Sequence, residues 1–311
     1  MTCSAAGKTQ FLLTLLLSVQ LPGPVGQGKS ALYISTEAPL QTTRLSQILG
    51  NHPRLSCLPE DERPSLNRIQ STHIHDLEAQ DHILRYQVPI VIQRHNIGLL
   101  VIDSVAANYR PEFEKGKVRR TAAESFVKRS NQVTQLGHLL RHIARKYNVA
   151  VVVANQVSDR FVLVDPPASQ HTQQSQPGSP LLPTTSLPGP QSPAVPAAPS
   201  QALMLLSTDD PLSLDHQQRF FTGWGDDLAV SSLKTPSLGL AWTNQLHTRV
   251  ALLKEPMIEM KPYKPGEEPN IIGWKRTFKM VFSRSSATSA CEFTIAEGGV
   301  QCVGEGDENA R

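Results

Sequence analysis

Gly7, Lys8 and Thr9 stand in succession, ahead of Gln10 and the apolar run Phe11 to Leu17. Main-chain N–H groups where a loop opens into a helix bind phosphate oxygens. A lysine there reaches the β- and γ-phosphates, and a following Ser or Thr hydroxyl binds Mg²⁺. The residues that meet this chemistry are Ala6, Gly7, Lys8, Thr9 and Gln10. The full motif, G-x-x-x-x-G-K-[ST], has an earlier glycine as well, and Thr2 holds its place. A Gly-Lys-Thr triplet is common by chance, so the assignment depends on what accompanies it.

Three further groups accompany it in the right order. Asp103 ends the apolar run Leu100-Val101-Ile102, and a carboxylate at the end of such a strand orients Mg²⁺ and its waters beside a P-loop. Thr9 and Asp103 are therefore the expected metal-side pair. Glu37 follows Tyr33-Ile34-Ser35-Thr36, where a carboxylate can polarise an attacking water. Gln156 follows Val153-Ala154-Asn155, an amide at a strand end that can meet a γ-phosphate. Each group has a plainer reading as a polar turn residue; their joint order and spacing carry the argument.

These residues need a scaffold of parallel strands. Ile97 to Asp103 is apolar on both faces, as a central parallel strand must be. Ala31 to Ile34 and Val149 to Ala154 are similar short apolar runs. A loop opening into a buried helix is expected over 4–20, and helices over 40–50 and over 76–95 as far as Pro89. Another follows the capping box Thr121-Ala122-Ala123-Glu124, with Phe126, Val133, Leu136, Leu140 and Ile143 at three- and four-residue steps. Alternating strands and helices give an α/β fold with a mainly parallel sheet and helices on both faces. Gln245 to Leu253, Phe278 to Ser283 and Cys291 to Ile295 read as strands of an antiparallel edge.

Composition sets limits. The 311 residues contain 39% hydrophobic residues, enough for a packed core, and carry a formal net charge of +3, too small to prove a polyanionic partner. The four cysteines, Cys3, Cys57, Cys291 and Cys302, have no C-x-x-C spacing, which suits a reducing compartment. No apolar run approaches the roughly 18 residues of a membrane span. Residues 1–27 also look like a secretory signal peptide, but Lys8 and the apolar helix after it have the phosphate-binding use. Ten of the 24 prolines lie between Pro166 and Pro199, and no Asp, Glu, Lys or Arg occurs from Pro166 to Thr208. Such a segment buries too little apolar surface to offset its ordering entropy, so residues 165–235 are expected to be a disordered insertion.

Gly-Lys-Thr-Gln, Tyr-Ile-Ser-Thr-Glu, Leu-Val-Ile-Asp-Ser-Val-Ala and Val-Val-Ala-Asn-Gln-Val, in this order, resemble the ATPase core of RecA-like recombinases. The eukaryotic Rad-type paralogues that assist strand exchange, in particular the fungal mediator type, are the nearest in pattern. Gly239 to Gln245 with Arg249, Phe282-Ser283-Arg284, and Phe293 to Ile295 with Glu297 to Val300 look like the end of such a core. The resemblance covers roughly residues 3–165 and 236–303. It implies a first part of the core at 1–164, the insertion at 165–235 in the position of the second DNA loop, the C-terminal strands of the core at 236–303 and a tail at 304–311.

The resemblance implies ATP and Mg²⁺ as cofactors, with Lys8 and Thr9 on phosphate and metal, Asp103 on the metal's water shell and Glu37 activating water. It makes Gln156 the link between nucleotide state and the DNA loop, and Arg44, seven residues past Glu37, the group packed on adenine. It implies a nuclear DNA-repair protein that acts in homologous recombination on single-stranded DNA with another recombinase paralogue and the main recombinase filament. Between Asn108 and Lys146, ten Lys and Arg face three acids. Arg110, Lys115, Lys117, Arg119 and Arg120 are expected to neutralise DNA phosphates.

One departure stands against these expectations. Family members carry an N-terminal domain, a linker and a strand feeding the P-loop ahead of the position of Gly7, and the sequence before Ala6 matches none of them. A chain short at its N-terminus is the favoured explanation, which with Thr2 leaves ATP hydrolysis open. Two functions stay in play: a mediator with weak DNA-dependent ATPase activity, and a non-catalytic adaptor subunit of a paralogue heterodimer. Secretion is the third reading.

Overall fold

The computed structural model describes residues 6–109, 122–159, 234–259 and 270–303. Helix α1 (Lys8–Ser18) begins after Gly7, whose φ of 101° is one that glycine adopts without steric cost. Leu12, Leu13, Leu16 and Leu17 are buried on it, so the apolar run after Thr9 is a core helix. Strand β1 (Ser30–Ser35) is buried throughout. Helix α2 (Thr42–Asn51) and strand β2 (Ile69–His73) follow. Ile-Gln-Ser-Thr-His gives no apolar run, and β2 is not expected from the sequence. It is half-exposed because it is an edge strand.

Helix α3 (Leu77–His82) is capped by Asp76, whose carboxylate accepts from the Ala79 N–H at 2.7 Å. It runs through a wider π-type turn at Ile83–Gln87 into α4 (Val88–His95), so the helix continues beyond Pro89. The wide turn puts the interruption of the hydrogen-bond ladder where proline has no N–H to give. Asn96, at φ 48°, ends α4 in the left-handed region. Strand β3 (Ile97–Asp103), helix α5 (Ala122–Tyr147) and strand β4 (Ala150–Val153) complete the α/β part.

The four strands form a parallel sheet in the order β2-β1-β3-β4. Alternation along the strands sorts their side chains onto two faces. Leu32, Ile34, Leu100 and Ile102 pack with α4, α5 and Trp242 in one core. Ala31, Tyr33, Leu99 and Val101 pack with the leucines of α1 and with Leu45 and Ile48 of α2 in another. The expected two-faced α/β architecture is therefore present. Ile102, fully buried, is central enough that truncation to Ala would cost about 2–5 kcal/mol.

The insertion at 165–235 lies outside the described residues, except that Lys234 and Thr235 open a strand, β6 (Lys234–Pro236). It pairs antiparallel with β5 (Val157–Asp159), so a two-stranded stem flanks residues 160–233. Helix α6 (Gly239–Thr243) follows; the Gln245 N–H donating to the Trp242 carbonyl prolongs its last turn, which delays the expected strand. β7 (Thr248–Ile258), β8 (Ile271–Ser283), β9 (Ser289–Ala296) and β10 (Gly299–Cys302) form a four-stranded antiparallel sheet, β10-β9-β8-β7. These strands make a sheet of their own, not an edge of the parallel one, because the face bearing Phe293 and Ile295 packs on the start of α1. Among the described residues no helix is long and apolar enough to cross a membrane.

Candidate functional site

The site lies at the carboxyl ends of β1, β3 and β4, beside the first turn of α1. Asp103 shares the parity of Leu99 and Val101, so its carboxylate points to the α1 side of the sheet. There the Thr9 hydroxyl donates to Asp103 Oδ2 at 2.8 Å, and the Tyr33 hydroxyl donates to the same oxygen at 3.1 Å. The first N–H groups of α1 have no side-chain cap, and helix geometry leaves them free for an external acceptor. The Lys8 ammonium is near enough to act on Asp103.

Burial is the largest influence on Asp103 and raises its carboxyl above the ordinary range. Hydrogen bonds from Thr9 and Tyr33 and the charge of Lys8 pull the other way, while Glu37 adds to the rise. Burial also pushes the Tyr33 hydroxyl up, helped by the Asp103 charge, so Tyr33 remains a donor across the working pH range. A half-buried carboxylate beside a hydroxyl at a helix N-terminus is a set of hard oxygen donors, the kind Mg²⁺ takes together with substrate phosphates. The donor set therefore fits a magnesium–nucleotide ligand.

Glu37 is held one layer further out. Its Oε1 accepts from the Ser104 hydroxyl at 2.7 Å and from the Gln156 side-chain amide. Thr36 and Ser104 lock the two strand ends together. The Thr36 hydroxyl donates to the Ser104 carbonyl at 2.7 Å and accepts from the Ser104 N–H at 3.0 Å. The Gln156 carbonyl accepts from the Ser237 N–H at 3.0 Å and from the Ser237 hydroxyl at 2.9 Å. Arg129 of α5 donates to the Ser237 carbonyl at 3.1 Å. Gln156 is thus bonded at once to Glu37 and to the stem that leads into 160–233.

Arg44 sits on the other flank of α1. Its Nε donates to Gln10 Oε1 at 2.8 Å, Nη1 to the Glu297 carbonyl at 3.0 Å and to Gln47 Oε1 at 3.3 Å, and Nη2 to the Ala296 carbonyl at 2.6 Å. Four of its five in-plane donors are engaged, which fixes the guanidinium between α1, α2 and the β9–β10 turn. A Cβ on Gly7 would meet Ile295 Cδ1 at 2.7 Å, so Ile295 closes over the start of α1.

The structure brings Lys8, Thr9, Asp103, Glu37 and Gln156 to one end of the sheet, with Gly7 and Gln10 at the foot of α1 and Ala6 buried beneath. Arg110, Lys115, Lys117, Arg119 and Arg120 lie outside the described residues. Sequence reasoning did not single out Tyr33, Thr36 or Ser104 as site residues. The parity of Tyr33 with Ser35 was available as a signal, but its aim at Asp103 follows from the β1–β3 register, Tyr33 opposite Val101.

The Rad51 family model matches residues 3–180 of this chain. The chain is similar to DNA repair protein rhp57 of Schizosaccharomyces pombe, at 33% identity over 96% of the chain and 71% of the relative. It is 27% identical to DNA repair protein RAD57 of Saccharomyces cerevisiae, over 96% and 72% respectively. It is 25% identical to DNA repair protein XRCC3 of Bos taurus, over 96% and 66%.

Proposed function

Since the chain belongs to the Rad51 family, we propose that it binds ATP with Mg²⁺ and assists homologous recombination in the nucleus, loading or steadying a recombinase filament on single-stranded DNA. Its partners are another recombinase paralogue and the main recombinase. The observation that carries this reading is the pairing of the Thr9 hydroxyl with the Asp103 carboxylate at the N-terminus of α1. The likeness to proteins named for DNA repair supports the biological setting.

In this reading Lys8 and the first N–H groups of α1 bind the β- and γ-phosphates, and Thr9 and Asp103 hold the metal's side of the site. Mg²⁺, when bound, neutralises phosphate charge. Arg44 offers the face of its guanidinium to the base, its edge being occupied. Glu37 accepts the proton of a water, and Gln156 reports the change to the stem of the second DNA loop. Arg110, Lys115, Lys117, Arg119 and Arg120 bind DNA phosphates.

A second reading rests on Glu37. Its Oε1 already accepts two hydrogen bonds, from Ser104 and Gln156, so that oxygen is already engaged and less open to an incoming water. That favours an adaptor that binds nucleotide and turns it over negligibly. Hydrolysis measured with and without single-stranded DNA separates the two. Lys8→Ala should weaken nucleotide binding at least about tenfold, 1.4 kcal/mol, in either case. Glu37→Gln should leave binding intact and abolish DNA-stimulated hydrolysis in the mediator, and change nothing in the adaptor. Retained nucleotide affinity in Lys8→Ala would remove the site altogether.

A further inference from the structure

Two of the three cysteines among the described residues are neighbours. Cys302 ends β10 and lies opposite Phe293 of β9, and Cys291 lies two residues before Phe293 on the same strand. Strand parity puts both thiols on the face that carries Phe293 and Ile295, one diagonal step apart across the antiparallel pair. Both cysteines are exposed. Cys291 also pairs in register with Phe278 of β8, whose ring lies 5.5 Å from that of Phe11 on α1.

We propose that Cys291 and Cys302 form a redox-active dithiol that closes reversibly to a disulfide under a peroxide-class oxidant. Diagonal strand neighbours stand about 7–8 Å apart at Cα, slightly beyond the usual disulfide range. Closure therefore needs a small shift, and the end of β10 supplies it, since Cys302 is its last residue. A bond closed against that displacement is more easily reduced than a relaxed structural disulfide, which suits a switch over a staple.

The chemistry balances. The Cys302 thiolate attacks one oxygen of hydrogen peroxide, breaking the O–O bond and giving a sulfenic acid and hydroxide. The Cys291 sulfur then attacks the sulfenic sulfur and expels a second hydroxide. The two thiol protons neutralise both hydroxides, so two thiols and one peroxide become one disulfide and two waters. Partial desolvation and the adjacent Cys302 sulfur push the Cys291 thiol up, which suits Cys291 to the second, resolving step.

The full chain, reduced and then treated with graded hydrogen peroxide in the presence of millimolar glutathione, tests this. Thiols left free are alkylated, and the chain is cleaved after glutamate. Glu292 and Glu297 separate the two cysteines, whereas no Lys or Arg lies between Ser285 and Ala310. The expected product is a fragment pair linked through Cys291 and Cys302 and released by dithiothreitol. A tethered thiol has an effective concentration of about the millimolar range, so this pair should form at least as fast as the glutathione adduct of exposed Cys57. Cys291→Ser should convert the product to a sulfenic acid or glutathione adduct on Cys302. Separate alkylation of both cysteines at peroxide levels that consume Cys57, or linkage only between two chains, would overturn the proposal.

Discussion

The Thr9 hydroxyl and the Asp103 carboxylate, 94 residues apart in sequence, meet at 2.8 Å. The contact joins the helix that would hold phosphate to the strand end that would hold metal. In the described state Thr9 spends its proton on Asp103 Oδ2, which Tyr33 also contacts. A metal at this site competes with these two donors for the same oxygen.

That competition gives a pH prediction. Burial raises the Asp103 carboxyl, so the folded state holds its proton to a higher pH than the unfolded state does. The stability from this group is full below the unfolded value and is lost as pH rises through the folded value. Mg²⁺ takes the ionised form, so magnesium-dependent nucleotide affinity should rise over the same acidic window and level off above it. Asp103→Asn should leave the melting temperature of the free protein unchanged or higher, while affinity in Mg²⁺ falls at least about tenfold. Calorimetry across pH, with parallel nucleotide titrations, checks both halves. A markedly less stable Asn variant would mean that the carboxylate is structural.

Arg44 should matter twice. Its bonds to Gln10, Ala296 and Glu297 tie α2 to α1 and to the β9–β10 turn. Arg44→Ala should cost about 1–2 kcal/mol of stability and weaken nucleotide binding as well. Arg44→Lys should recover little of either, because one ammonium cannot span acceptors on both sides. Thermal denaturation and nucleotide titration of both variants give the comparison. Lysine restoring full affinity would show that charge alone suffices.

Much of this was legible before the fold. β1 and β3 are buried on both faces, and burial writes continuous apolar runs into the sequence; β4 keeps such a run although it is a half-buried edge strand. Lys8, Thr9, Glu37, Asp103 and Gln156 stand at the ends of those runs or beside them. β2 and β10 were not legible: one is a polar edge strand, and the other is four residues long. Tyr33 reads as core in an apolar strand; only the register with β3 turns its hydroxyl toward Asp103. The separate antiparallel sheet was missed for a related reason, since strand patterns tell which face is apolar but not what covers it.

Gln156 offers a test of coupling between the nucleotide and the DNA. It bonds to Glu37 through its side chain and to Ser237 through its carbonyl. Gln156→Ala removes the first link and keeps the second. Nucleotide affinity should change by no more than about twofold. The nucleotide's effect on single-stranded DNA affinity, of the order of 1–3 kcal/mol where such coupling exists, should be lost. DNA titrations with and without nucleotide measure it. An unchanged nucleotide effect would route the coupling elsewhere.

The basic segment after β3 can be tested through the salt dependence of DNA binding. Arg110, Lys115, Lys117, Arg119 and Arg120 sit between Asp103 of the site and α5, in a stretch where cations outnumber acids. If each neutralises a phosphate, the logarithm of affinity for single-stranded DNA falls with the logarithm of salt concentration. The slope should shrink by about 0.7 for every contact removed. Replacing all five with Gln should therefore flatten the salt dependence by up to about 3.5 and leave the melting temperature near that of the parent. Replacing Arg145 and Lys146 at the far end of α5 should not alter the slope, although each carries the same charge as a residue of the segment. Equal flattening per charge removed from the two sets would mean that DNA responds to overall charge and not to this segment.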